Sequence, residues 1–258
     1  VSTSEVTIGE FASSTLANRM VRQSTVRSYM QALRLLGLHE TPMSALSLQL
    51  LFSTLETVTN INTRRKYTVA LRAIFRDELP GIKGLKIPKA VPREYDLPTE
   101  ETLRFILMMS PFEFYGLLMM YGGLRIGEAV AITPKDLKGN ILKVTRQRDD
   151  MDHLVLSKTQ GDVVIPRWLA ERVKAHKPET VTTGAVRESL WRYGKKVGVH
   201  VNPHMLRHWY ATQLAKNKVS PKAAQKQLRH SDIKTTLDFY TQFSGKDIHD
   251  IVDDIFGG

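Results

Sequence analysis

Hydrophobic positions recur at helical spacing through most of this chain. Val26, Tyr29, Met30, Leu33 and Leu36 follow one another three or four residues apart, with Ser24 as the expected N-cap and Gly37 as the stop. Thr63 is expected to cap a second run that puts Tyr67, Leu71, Ile74 and Phe75 on one side, and segments 8–18 and 44–57 read as further helices. Residues 1–80 therefore predict a small helical domain. The pattern breaks over 81–98, where three prolines, two glycines and four basic residues cannot form a continuous helix and read as an extended interdomain linker. Helical spacing then resumes. Thr99 is the expected cap of a helix carrying Leu103, Ile106 and Leu107, and another runs from about 112 to 121 before Gly122 and Gly123.

The period changes over 140–166. Ile141, Leu142 and Val144, then Leu154 to Leu156, then Val163 to Ile165 are short β-type runs, with turn chemistry at Thr159 to Asp162 between the last two. Beyond Pro166 the chain reads as helical to its end. The expected fold is mainly α with a small antiparallel β-sheet: a helical domain, then a mixed α/β domain over 99–258.

Charge narrows the choice of partner. The formal net charge is +11 over 258 residues, which favours a polyanion. Nucleic acid and anionic membrane both qualify, but no apolar run approaches the ~20 residues of a spanning helix and no secretory leader opens the chain, so the soluble reading is preferred. The chain begins at Val1, so an initiator methionine or a longer N-terminal piece is expected to be missing. With no cysteine, disulfides and thiolate metal sites are excluded, which fits a reducing cytoplasm. Residues 1–95 hold thirteen Lys or Arg against seven Asp or Glu. Arg64, Arg65, Lys66, Arg72 and Arg76 crowd the helix after Thr63, and Lys83, Lys86, Lys89 and Arg93 line the linker. Any one of them alone is an ordinary solvated charge. Clustered, they favour contact with DNA phosphates.

Candidate chemistry lies in the second half. Arg125 follows a glycine break at the start of a new helix, where a guanidinium and free backbone N–H groups would bind an anion, and Glu128 three residues on can orient it. A structural salt bridge is the plainer reading of that pair. His204, Arg207 and His208 share one face if helical. A zinc site from His204, His208 and His230 is the alternative, disfavoured by the cation of Arg207 between the ligands and by the absence of the intervening Glu of a zinc-hydrolase motif. Lys158 is expected at a hairpin tip, either merely solvated or able to swing in as a general acid. Tyr240 closes the series. A phenol, two guanidiniums, an ammonium and imidazoles together point to nucleophilic attack on a phosphodiester, with the cations in place of a metal.

These residues, in this order, resemble the tyrosine recombinase (phage integrase) family. Gly123, Leu124, Arg125 and Glu128 match its first arginine box, Lys158 its β-hairpin lysine, His204 to His208 its second box, Leu228 to Ser231 its third, and Thr235, Thr236, Tyr240 and Thr241 its nucleophile box. Arg229 departs from the pattern, standing where glycine is usual, as an added phosphate contact or a surface charge. The resemblance covers the catalytic half, and residues 8–80 match the family's helical core-binding domain in pattern. There is no room for the extra arm-binding domain of many integrases, which implies a simple integrase or a trimmed chain.

The resemblance implies a site-specific recombinase that needs neither metal nor cofactor. Tyr240 would attack the scissile phosphate to give a 3′-phosphotyrosine. His204 would be the base, while Arg125, Arg207 and His230 hold the phosphate and Lys158 protonates the leaving 5′-oxygen, with Glu128 and His208 in support. Its partners would be double-stranded DNA attachment sites, a homo-tetramer on two duplexes and a host bending or directionality factor, in the cytoplasm of a bacterial host and without a membrane. Ile248, Ile251, Val252, Ile255 and Phe256 form an apolar stripe on a tail helix. In such a family that helix docks on a neighbouring protomer; packing in cis is the other reading. A type IB topoisomerase and a catalytically silent DNA-binding protein are the competing functions.

Overall fold

A computed structural model describes residues 5–91 and 96–241 of the chain. Arg93 and the tail after Ser244 lie outside the described residues. The chain forms two compact units, Val1–Tyr95 and Asp96–Gly258.

The first unit is built from helices α1 (Ile8–Asn18), α2 (Gln23–Leu35), α3 (Leu48–Glu56) and α4 (Ile61–Ile74). Thr7 opens α1 through a capping box: its hydroxyl accepts from the Glu10 amide, and the Glu10 carboxylate accepts from the Thr7 amide at 2.9 Å. Ile8, Leu16, Leu33, Leu51, Leu71, Ile74 and Phe75 form the core, and each such side chain removed from water contributes roughly 1.5–3 kcal/mol. Helix starts differ from the expected ones. α2 begins after Arg22, with no side-chain cap, and α4 begins after Asn60, whose side chain accepts from the Thr63 amide. Thr63 therefore donates where a cap would accept. Residues 82–84 form a 3-10 turn, and Ile82 and Leu85 are buried in this unit's core, so the extended connection starts later than its glycines suggest.

The second unit packs α5 (Glu100–Met109), α6 (Glu113–Gly122), the single turn α7 (Ile126–Ala129), α8 (Arg167–Ala175), α9 (Thr183–Lys196), α10 (Pro203–Lys216), α11 (Pro221–Leu228) and α12 (Ile233–Thr241) with a sheet β1-β2-β3. Thr99 caps α5 as expected. The sheet is antiparallel: β1 (Leu137–Lys138) pairs with β2 (Ile141–Arg148), which pairs with β3 (Leu154–Val164). Leu142, Val144 and Val163 point into a core shared with Leu103, Ile106, Leu118, Met120 and Leu206. Two glycines are dictated by the backbone. Gly123 ends α6 at φ +62, and a Cβ on Gly127 would stand 2.4 Å from the Arg148 carbonyl oxygen.

The hairpin corrects one expectation. No turn forms at Thr159 to Asp162, because the second and third β-runs are one continuous strand and Gly161 pairs with Val144. The turn is at Asp149 to His153, where the Asp149 carboxylate accepts from the amides of Met151 and His153 and Asp152 takes φ +58. Lys158 is therefore not at a tip. Arg146 pairs with Leu156 and Val144 with Gly161, so Ser157 to Gln160 stand opposite Thr145 alone. This bulge gives Lys158 its exposure within a strand.

Candidate active site

The site is assembled around Glu128, the one fully buried carboxylate among the described residues. The helix expected after the glycine break starts at Ile126, but α7 is only a single turn. Arg125 is its N-cap, and its amide donates to Glu128 Oε2 at 2.8 Å. The Arg125 guanidinium donates to Glu128 Oε1 at 3.0 Å and to Thr159 Oγ1 at 2.6 Å. Ser157 Oγ donates to the same Oε1 at 3.1 Å. Lys158 thus sits between two residues tied to the Arg125–Glu128 pair.

α10 supplies the imidazoles. Asn202 caps it by accepting from the Met205 amide at 3.0 Å, and Pro203 at the first helical position fixes the entry. His204, Arg207 and His208 then share one face and line one cavity, as their spacing predicts. Arg207 is also structural. It is buried, and its guanidinium donates to the carbonyls of Gly123 and Leu228, joining the end of α6 to the end of α11.

That cavity, of about 240 Å³, is lined by Arg125, His204, Arg207, His208, His230, Ser231, Thr235 and Phe239, with no carboxylate on its wall. Its composition suits an anion. His230 Nδ1 lies 2.9 Å from the hydroxyl of buried Thr236, which orients the ring. A neighbouring cavity of about 650 Å³ holds Lys158, Lys222, Lys226 and Arg229, and His230 and Ser231 border both. Lys158 therefore stands beside the first cavity, not in it. Tyr240 is also outside. Its phenol donates to the Val219 carbonyl, while Phe239, one residue earlier on α12, faces His208 and His230 with ring centroids 5.3 and 6.5 Å away.

Burial sets the charge states. It lowers the pKa of His208 and of His230 to about 4, helped by His204 and Arg207 for the first and by Arg207, Arg125 and Arg229 for the second. His204 is lowered by burial and by Arg207, Arg125 and Arg187, so it is neutral at pH 7 and free to accept a proton. Burial and the nearby Arg125 and Arg229 press Arg207 down to about 9, still charged at neutral pH. For Glu128, burial acts upward but the Arg229 guanidinium, with the Arg125 amide and guanidinium and Arg207, outweighs it and holds the carboxyl below its usual range. Burial raises the Tyr240 phenol, so it needs a base.

Reasoning from sequence misses four contributors. Ser157 and Thr159 flank Lys158 and carry no distinctive signal. Thr236 lies in the matched nucleophile box. Arg229 stands out in the sequence only as a departure from glycine, and the surface-charge reading of it fails. It is buried and bonded to Glu128 at 2.5 Å, on the border of the cavity that holds Lys158. Among the described residues no three His, Cys, Asp or Glu side chains group closely enough to hold a metal ion, so the zinc alternative at His204, His208 and His230 finds no geometry here. No described helix is long and apolar enough to cross a membrane.

In the first unit the basic residues differ in availability. Arg64 and Arg65 spend part of their guanidiniums on the carbonyls of Val58, at 2.8 Å, and Pro88, at 2.7 Å. Arg72 is half-buried, and Arg76 lies past the end of α4 beside Asp77. Lys66, Lys83, Lys86 and Lys89 are exposed.

Residues 112–246 match the Phage integrase family. Tyrosine recombinase XerA of Thermococcus kodakarensis is 31% identical over 196 residues, 65% of this chain and 66%, just under two thirds, of that protein. Tyrosine recombinase XerC of Pseudomonas aeruginosa is 26% identical over 238 residues, 84% of this chain and 75% of that one. The fold is that of the Tn1549 transposon integrase solved with transposon right end DNA, with a TM-score of 0.72 at 18% identity over 98% of this chain and all of that one. A lambda integrase dimer bound to a COC′ core site gives 0.68 at 18% identity, over 91% of this chain and 77% of that one. With the matched boxes carried on this fold, the chain belongs to the phage integrase family of tyrosine recombinases.

Proposed function

We propose that the protein is a site-specific DNA recombinase that cleaves and rejoins DNA through a 3′-phosphotyrosine at Tyr240, without metal or ATP. The observation that carries this reading is the cavity walled by two guanidiniums and three imidazoles, bordered by the helix that bears the tyrosine. A phosphodiester in it meets Arg125 and Arg207, which neutralise the charge that grows on the non-bridging oxygens as phosphorus becomes five-coordinate. His204, neutral, accepts the phenol proton. His230 donates a hydrogen bond to the phosphate, and Lys158 protonates the leaving 5′-oxygen. The phosphotyrosine conserves the bond energy, so a 5′-hydroxyl from a partner duplex reverses the step.

Bound to the Val219 carbonyl, Tyr240 is not aligned for attack. Adjacent residues on a helix are about 100° apart. A rotation of α12 of that order exchanges Phe239 for Tyr240 at the cavity, and loading of the duplex is the event that favours it. The active assembly is a tetramer on two attachment sites, and the tail after Ser244 has the role of holding neighbouring protomers together. DNA contacts in the first domain come from Arg64, Arg65, Lys66, Arg72 and Arg76, continued by Lys83, Lys86, Lys89 and Arg93 along the connection. Thr236 and His208 support the site by orienting His230 and packing Phe239.

The test is to incubate the protein with a library of nicked suicide duplexes, isolate covalent complexes and sequence the trapped DNA. A 3′-linked adduct is expected from the wild type. Tyr240→Phe removes only the hydroxyl, so DNA binding should survive while the adduct disappears. An adduct that persists in that variant refutes Tyr240 as the nucleophile.

A further inference from the structure

We propose that Arg229 is a positioning residue: its buried ion pair with Glu128 fixes the Arg125 guanidinium and the β3 bulge that carries Lys158. The inference rests on the roles given above to Arg125 and Lys158 and adds a group that touches neither substrate nor reacting atoms.

Three observations carry it. The Arg229 side chain is only 2% exposed, and its NH2 group is committed to Glu128 Oε2, to which it donates at 2.5 Å. Glu128 in turn has every bond directed at the site: Oε2 also takes the Arg125 amide, and Oε1 takes the Arg125 guanidinium and Ser157 Oγ. Finally, Arg229 ends α11 in the left-handed region, at φ 53 and ψ 46, where a Cβ is disfavoured and glycine is not. A large side chain held in that conformation needs a compensating interaction, and the buried ion pair with Glu128 supplies the shortest one, beside a longer bond to the Gln227 carbonyl at 3.3 Å.

The consequence is mechanical. The carboxylate of Glu128 faces Arg125 from the turn before α7, Arg207 from α10, Arg229 from the end of α11 and Ser157 from β3. Without Arg229, Oε2 keeps a single donor and the carboxylate loses its nearest buried counter-charge. It is then free to shift toward Arg207 or to take up a proton, and either change releases Arg125. The stem of Arg229 also packs on β3, since a Cβ at Gly161 would lie 3.4 Å from its Cγ and Cδ. Removing it loosens the far end of the bulge as well.

Arg229→Gly is the informative variant, because it relaxes the backbone while deleting the pair. Adduct formation is measured on the trapped duplex with three scissile groups: an ordinary phosphodiester, a neutral methylphosphonate that lessens the need for Arg125, and a 5′-bridging phosphorothioate whose thiolate leaves without a proton from Lys158. On the phosphodiester the variant should lose about 10- to 100-fold in rate, as expected for a catalytic cation out of place. Each modified group should recover part of that loss, and Arg229→Lys should recover part of it on the ordinary duplex. An equal loss on all three groups, or a loss below about threefold, overturns the proposal.

A thermal-unfolding cycle of R229G, E128Q and the double variant needs no DNA. Replacement of Arg229 should lower the melting temperature more in the wild-type background than in the E128Q background, and simple additivity overturns the pairing. If the wild type forms no adduct at all, the catalytic reading fails while this cycle still decides whether the pair is coupled.

Discussion

His208 and His230 carry a cost that ought to be visible in solution. Both are held neutral by burial, with pKa values of about 4, against about 6.5 for a histidine in an unfolded chain. Above the unfolded value neither state binds a proton and the native packing is intact. As pH falls from about 6.5 toward 4 the unfolded chain takes up protons that the native state refuses, so stability drops through that window. The melting temperature should therefore fall between pH 7 and 5, before most carboxylates titrate, and fall less in a His208→Gln/His230→Gln variant. A melting temperature flat across that range would show that the rings are already charged in the native state. A phosphate in the cavity works the other way, since its charge favours the imidazolium, so DNA binding should be accompanied by proton uptake near neutral pH.

In the proposed mechanism the β3 bulge is the element on which leaving-group chemistry depends. Four residues from Ser157 to Gln160 stand opposite Thr145, with Ser157 donating to Glu128 and Thr159 accepting from Arg125, so Lys158 is carried on a loop anchored at both ends. Lys158→Ala should lose most cleavage of an ordinary duplex and regain much of it on a 5′-bridging phosphorothioate, measured as the rate of adduct formation. Absence of rescue would move Lys158 from proton donor to phosphate contact. The nearby tip at Asp149 to His153 contributes geometry only. Its Asx-turn bonds let the strands reverse without involving the bulge.

At the scale of the whole molecule, the proposed function has the basic residues of the helical domain, its connection and the catalytic cavity share one polyanion. Each phosphate neutralised contributes about −0.9 to the slope of log K against log salt, so about six contacts give a slope near −5. Fluorescence anisotropy on a trapped site between low and physiological salt should return a slope that steep, and one shallower than about −2 would leave the helical domain without a share in binding. Replacing the exposed Lys66 and Lys83 should flatten the slope more than replacing Arg64 and Arg65, whose guanidiniums are partly occupied by carbonyls of their own domain.

Much of this was determined by sequence alone, wherever the interaction involved is local. Helical periodicity from Val26 to Leu36 and from Leu103 to Leu107, the cap at Thr99, and the common face of His204, Arg207 and His208 all depend on neighbours within a turn or two. Those can be read directly. What the tertiary structure alone decided involves partners far apart in the chain. Whether Thr159 to Asp162 turned or paired depended on Val144 across the ladder, and Asp149 had the better turn chemistry. Whether Arg229 met solvent or a carboxylate depended on Glu128, 101 residues earlier. Burial made the difference between the histidines as generic imidazoles and as rings held neutral. The orientation of Tyr240 was likewise beyond sequence, because the carbonyl that accepts its phenol belongs to Val219, in the segment between α10 and α11.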